Sequence, residues 1–274
     1  MHGSFFIPIA ISAAITVCAT TQAAPTWGYR ANDSTQVGPA QWGTINETCR
    51  GSHQSPVDLP TSGVSFVPVQ RDPFGLIFDG DCRDFNMHTL DDVVRYELLG
   101  DTRCNVTATW VDAKRSYILT QFHAHAISEH TVDGKHYAGE LHFVHQEVDG
   151  SNLLVVALLI ETKDENPRQT WLQDVWQSFA NTSTAALRAV DVNLQYADLL
   201  TQTVKASKMF RYQGSLTAPP CSPGVTWWVV QTPLVVSSKD FGLMTNAYSQ
   251  RPAIDGGRNN RPVQPLNHRK VSCL

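Results

Sequence analysis

The sequence predicts a mostly β, single-domain protein with a few short helices on its surface. Short runs rich in β-branched and aromatic residues recur between turn residues along most of the chain. No internal repeat, low-complexity stretch or linker divides the chain. Its 274 residues, 42% hydrophobic and 17% charged, have the balance of a soluble globular protein and suffice for one large domain.

Six strands are predicted from these runs, at residues 75–78, 93–99, 117–125, 140–146, 153–160 and 225–230. The run 153–160 is apolar throughout, which is typical of a strand buried on both faces. A helix is predicted at 166–179, where Asn166 caps the start, Pro167 suits the first turn and apolar residues recur on one face. A weaker pattern suggests a second helix around 184–189.

The first residues predict an export signal. Residues 5–19 are apolar and too short to span a bilayer comfortably, and a run of small residues follows them. We therefore expect a signal peptide at 1–23, one domain at 24–274 and a secreted, extracellular protein. Sequons at Asn32, Asn46, Asn105 and Asn181 would then be glycosylation acceptors.

The charge limits which classes of partner the protein can bind, and the cysteine content indicates how its thiols are used. The net charge of −4 and the scattered basic residues argue against nucleic acid, and no later segment predicts a membrane span. Without the signal peptide five cysteines remain, none of them in a Cys-x-x-Cys pair, which favours disulfides. Because five is odd, at least one thiol is unpaired or forms a disulfide with another chain. A disulfide-linked dimer and a non-covalent dimer are therefore both compatible with the sequence. We expect a small-molecule substrate.

Three histidines predict a metal site. Side chains two apart on a strand share a face, so His123 and His125 point the same way, with Gln121 beside them. On the next strand His142 shares a face with Glu140. If the two strands pair, three imidazoles converge and leave a tetrahedral zinc one open position, as in catalytic sites. Gln121 and Glu140 would hydrogen-bond the outer ring nitrogens. The alternative is that these are ordinary strand histidines with polar neighbours.

The chain resembles α-class carbonic anhydrases from about residue 27 to 266. The matching segments are Trp27-Gly28-Tyr29, Gln54-Ser55-Pro56-Val57-Asp58, Gln121-Phe122-His123-Ala124-His125, Ser128-Glu129-His130-Thr131-Val132, Glu140-Leu141-His142-Phe143-Val144-His145, Gly214-Ser215-Leu216-Thr217-Ala218-Pro219-Pro220 and Arg261-Pro262-Val263-Gln264-Pro265-Leu266. The resemblance implies a single domain around a large, mostly antiparallel twisted sheet. It also implies zinc-dependent reversible hydration of carbon dioxide to bicarbonate and a proton, by attack of zinc-bound hydroxide.

The resemblance also assigns roles to residues outside the triad. Thr217 would orient the hydroxide by donating its own proton to Glu129, which when ionised can only accept hydrogen bonds. His88 falls at the position of the proton-shuttling histidine, although the sequence after it matches poorly. Alternation puts Val144 on the ligand face, and the resemblance adds three residues to this apolar substrate wall: Val155, Leu216 and Trp227.

The same resemblance implies a disulfide between Cys49 and Cys221. Cys82 and Cys104 are candidates for a second pair, with Cys273 competing for either. Ala218 stands where many relatives have a threonine, and the short segment after His125 suggests a bacterial- or fungal-like variant.

Two other functions remain to be weighed. A non-catalytic binding or storage relative would typically lack a zinc ligand, and all three are present here. A zinc hydrolase of esters or peptides would typically carry a helical His-Glu-x-x-His signature, which the sequence does not contain.

Overall fold

The computed structural model describes residues 26–62, 65–66, 75–100, 103–110, 113–164, 170–180 and 187–274. The predicted signal peptide at 1–23, the sequon Asn181 and the predicted helix cap Asn166 lie outside these residues.

Strands make up most of the described chain. In chain order they are β1 Thr26–Trp27, β2 Gln36–Val37, β3 Asp58–Leu59, β4 Ser65–Phe66, β5 Gly75–Asp79, β6 Cys82–Thr89, β7 Val94–Leu98, β8 Asn105–Trp110, β9 Ala113–His125, β10 Thr131–Val132, β11 Gly139–Glu147, β12 Leu153–Lys163, β13 Leu187–Leu194, β14 Met209–Ser215, β15 Pro223–Ser237 and β16 Ser272–Cys273. The helices are α1 Thr170–Ala180, α2 Tyr196–Lys205 and α3 Ser238–Ser249, and two 3-10 turns span Pro39–Thr44 and Glu47–Arg50.

One 12-stranded sheet organises the molecule, in the order β13-β6-β7-β9-β11-β12-β15-β14-β16-β4. The long strand β9 pairs with β7 through its carboxyl-terminal half and with β8 through its amino-terminal half, and β8 pairs with β5. The β12–β15 and β16–β4 pairs are parallel, and the other pairs of this sheet are antiparallel. The predicted mostly antiparallel sheet is confirmed.

The sheet separates two hydrophobic layers, because successive side chains of a strand point to opposite faces. On one face Phe122 and Phe143 pack with Trp171 and Trp176 of α1 in the larger core. On the other face Val144 belongs to a smaller apolar cluster, together with Val155 of β12 and Trp227 of β15. Strand β12 contributes alternate residues to both clusters, as its unbroken apolar run predicts.

The six predicted strands are confirmed: β7 is one residue shorter at each end than predicted, and the other five are extended at one or both ends. The predicted helix at 166–179 corresponds to α1, but the prediction of a helix at 184–189 is wrong, because its described part, 187–189, belongs to β13. Val190, Val192 and Leu194 repeat with the two-residue period of a strand and pack into the larger core. Within the described part of the chain, no helix combines the length and apolar character that a bilayer crossing requires.

Candidate metal centre

Strands β9 and β11 bring the three predicted histidines together. His142 lies directly opposite His123 in the antiparallel register, and Glu140 lies opposite His125. One ring nitrogen from each imidazole lies within 4.8 Å of the other two, and His142 Nδ1 is 3.4 Å from His123 Nε2. The three rings therefore converge on a single point.

The second nitrogen of each ring is bound to an oxygen. His123 Nδ1 donates to Gln121 Oε1, His142 Nε2 donates to Glu140 Oε1, and His125 Nδ1 donates to the carbonyl oxygen of Asn259, each at 2.8 Å. These bonds fix the tautomers, so that each ring presents a lone pair to the common point. Asn259 was missed in the sequence because a backbone carbonyl carries no side-chain signal.

The electrostatics of the triad favour metal binding. Burial, followed by the proximity of the other two rings, holds the pKa of His123 well below its ordinary value. Burial likewise lowers the pKa of His142, against the opposing effect of Glu140. His125 Nε2 is buried and has no hydrogen-bond partner among the described residues. Three imidazoles with lone pairs facing one point fit the donor set of zinc.

Glu140 anchors a buried network behind the triad. Its Oε1 accepts hydrogen bonds from His142 and from His130 Nδ1 (2.6 Å), and its Oε2 accepts from the backbone N–H groups of Glu129 (2.8 Å) and His130 (2.7 Å). Contacts with His130 and His142 keep the pKa of Glu140 well below its usual range, although burial, the largest effect, acts in the opposite direction. His130 Nε2 in turn lies 2.6 Å from the Tyr212 hydroxyl. Since these groups satisfy one another, we interpret His130 and Glu140 as a support for His142.

Glu129 and Thr217 lie at the same centre. Glu129 is fully buried, and its Oε1 accepts a hydrogen bond from the backbone N–H of Arg261 at 3.0 Å. Its Oε2 lies 3.5 Å from His125 Nε2 and has no hydrogen-bond partner in the described part of the chain. Thr217 is 7% exposed and lines the cavity in front of the histidines. The hydrogen bond from Thr217 to Glu129 stays a prediction.

A cavity of about 120 Å³ opens in front of the histidines. All four predicted wall residues line it: Val144, Val155, Leu216 and Trp227. Ala218 and Pro219 continue this wall. The cavity is also lined by Tyr29, from a segment that carries the family resemblance, and by Asp92, Val93 and Arg95, which the sequence analysis did not single out.

His88 lies farther from the centre. It stands on β6 opposite Arg95, which in turn stands opposite His123. Its Nε2 is 3.0 Å from Glu97 Oε2, and its side chain is 28% exposed. His88 is not among the described residues that line the cavity. Its proton-shuttle role stays a prediction.

Two disulfides brace the molecule. Cys49–Cys221 ties the second 3-10 turn to the segment that follows Thr217, and Cys82–Cys104 joins the start of β6 to the residue before β8. Cys273 is free and buried.

Comparisons with known proteins agree with this geometry. The family model for eukaryotic-type carbonic anhydrase matches residues 37–274. A carbonic anhydrase from Klebsiella pneumoniae is 33% identical over 267 residues, which cover 94% of this chain and 95% of the relative. The structure of the α-carbonic anhydrase from Thermovibrio ammonificans in complex with the inhibitor sulfanilamide superposes with a TM-score of 0.72 at 31% identity, covering 90% of this chain and 99% of the other. Dioscorin complexed with ascorbate has the same TM-score at 26% identity, covering 90% and 97%.

Proposed function

The chain belongs to the eukaryotic-type, α-class carbonic anhydrase family, which hydrates carbon dioxide, and we propose that it does so with zinc held by His123, His125 and His142. The observation that carries this proposal is the convergence of three imidazole nitrogens, each on a ring whose other nitrogen is hydrogen-bonded. When bound, zinc supplies a water with a pKa of about 7, a value established for this family, and hence a nucleophile at neutral pH.

Thr217 and Glu129 would orient that nucleophile. An ionised carboxylate only accepts hydrogen bonds, so a Thr217 hydroxyl beside Glu129 Oε2 must donate to it. The Thr217 hydroxyl then has only lone pairs left to face the cavity. A water or hydroxide bound there must therefore donate a hydrogen bond to Thr217, which fixes its orientation. The unpartnered Glu129 Oε2 supports this role.

The apolar wall would hold the substrate. Carbon dioxide is uncharged and makes weak hydrogen bonds, so it gains most from leaving water for a hydrophobic surface. Val144, Val155 and Trp227 are at most 7% exposed and surround the histidines on one side. They favour carbon dioxide beside the metal over a polar competitor.

The released proton must reach the solvent. We propose His88 as the group that carries it, because histidine exchanges protons readily near neutral pH and this side chain is partly exposed. The path from the cavity to His88 passes Arg95, which lies between them in the strand register. The two disulfides support export to an oxidising compartment.

Stopped-flow hydration of carbon dioxide, measured together with zinc content, tests the proposal. We expect the wild type to bind one zinc ion and to be active, and His123→Ala to lose most of both. His53→Ala removes an exposed histidine away from the site and serves as the matched control. Zinc-loaded wild type that is no faster than His123→Ala would contradict the enzymatic function.

A further inference from the structure

Arg95 brings a permanent positive charge to the cavity. It lies on β7 directly opposite the zinc-binding His123, and it lines the cavity together with the histidines. Of the described residues that line this cavity, only Arg95 is a lysine or arginine.

The hydrogen-bonding capacity of Arg95 is only partly used. Its Nε is buried and has no partner among the described groups. Its Nη1 lies 3.5 Å from Glu97 Oε1, which is long for a hydrogen bond, while the other oxygen of Glu97 contacts His88 at 3.0 Å. A buried N–H without an acceptor costs free energy, so this side of the cavity favours a ligand that brings oxygen atoms.

The acidic groups nearby leave room for an anion. Glu140 is fully buried behind His142, Glu129 is fully buried beside His125, and both accept backbone hydrogen bonds. Glu97 is 41% exposed, so solvent screens its charge. Asp92 faces the same cavity, and burial raises the pKa of its carboxyl, which disfavours its charged form.

We propose that Arg95 binds bicarbonate, the anionic partner in the reaction, through two N–H groups of its guanidinium. Bicarbonate is planar and presents two oxygens with the spacing of a carboxylate, the geometry that a guanidinium matches with two parallel hydrogen bonds. Uncharged carbon dioxide gains little from the same group, so Arg95 distinguishes the two reaction partners. This inference rests on the proposed function.

Inhibition and binding constants test Arg95 better than kcat/KM does. One equilibrium constant links the two directions of the reaction, so kcat/KM for hydration and for dehydration must change together in any variant. We therefore measure, on zinc-loaded protein at fixed ionic strength, the inhibition of hydration by bicarbonate and by acetate, a planar carboxylate that is not a substrate. Line broadening of ¹³C-labelled acetate in NMR gives its dissociation constant without relying on activity.

Three variants separate the contributions. Arg95→Gln should weaken both anions roughly tenfold, the lower range for a charge-assisted hydrogen bond because Arg95 is 35% exposed. Arg95→Lys keeps the charge without the guanidinium and should lie between Arg95→Gln and wild type. Arg83→Gln removes an exposed arginine of β6 and should match the wild type. Zinc content and melting temperature verify that each variant is folded and loaded.

The outcomes distinguish this inference from the proposed function. If the inhibition and dissociation constants of Arg95→Gln lie within twofold of the wild-type values, the role of Arg95 is overturned even if the enzyme is active. Arg95→Lys binding as tightly as wild type overturns the two-pronged contact. If the wild type does not hydrate carbon dioxide, the proposed function fails, and the acetate dissociation constants alone decide whether Arg95 is an anion site.

Discussion

Replacing Glu140 with glutamine tests how strongly the buried network supports the metal centre. Glu140 accepts four hydrogen bonds at 2.6–2.8 Å, two from imidazoles and two from backbone N–H groups. Glutamine keeps the shape but turns one of the two oxygens into an N–H donor. Whichever way the amide is oriented, that donor faces two other donors.

The magnitude follows from the bonds that are lost. A hydrogen bond to a charged group contributes about 1.5–3 kcal/mol, so losing two lowers the free energy of unfolding by about 3–6 kcal/mol. If the amide NH₂ faces His142, this ring must take the other tautomer and turn an N–H toward the metal. Loss of such a supporting partner typically weakens metal binding by about 10- to 100-fold.

Two measurements check this prediction. Competition with a chromophoric chelator gives the zinc affinity, and urea unfolding of the metal-free protein gives the stability. Glu161→Gln on the neighbouring strand β12, a half-buried carboxylate outside the network, is the matched control and should change stability by less than about 0.5 kcal/mol. The interpretation of Glu140 would be refuted by Glu140→Gln with zinc affinity within twofold and stability within about 1 kcal/mol of wild type.

Three further predictions concern the Cys49–Cys221 disulfide, the apolar wall of the cavity and Asp92, which also lines the cavity. Replacing Cys49 and Cys221 with serine opens a loop closed across 172 residues and should lower the free energy of unfolding by about 5 kcal/mol in the loop-entropy model; an unchanged urea midpoint would contradict this. Val144→Tyr should fill the wall and reduce kcat/KM for hydration on the order of 100-fold, whereas Val148→Tyr at an exposed site should not. Because the pKa of Asp92 is raised in the folded state, its ionisation disfavours folding as pH rises above the ordinary value of 3.8. Asp92→Asn should therefore be more stable than wild type near neutral pH in urea unfolding of the metal-free proteins, and equal stability at both neutral pH and pH 3 would show the sign to be wrong.

The parts of the site that follow from local periodicity could be predicted from the sequence. His123 and His125 share a strand face by alternation, and Glu140 and His142 do so on the next strand, so pairing the two strands is enough to assemble the triad. Arg95 lies on a predicted strand, but its position beside His123 depends on the register of β7 against β9, two strands that are separated in sequence by β8 and are not joined by a turn that would fix this register.

The long-range contacts could not be predicted in the same way. The carbonyl of Asn259 reaches His125 across 134 positions, and the backbone N–H of Arg261 reaches Glu129 across 132. Any residue type offers these atoms, so no composition or spacing marks them. The wrong helix prediction at 184–189 has a different cause, since three alternating apolar residues follow immediately and extend β13 into the predicted segment.

The dependence of His125 and Glu129 on residues 259 and 261 has a consequence for biosynthesis. An elongating polypeptide completes the strands carrying all three imidazoles long before the ribosome adds Asn259. Until then the His125 ring lacks the acceptor that fixes its tautomer, and Glu129 lacks its backbone donor. If the protein binds zinc as proposed, capture in the final geometry therefore follows synthesis of nearly the whole chain.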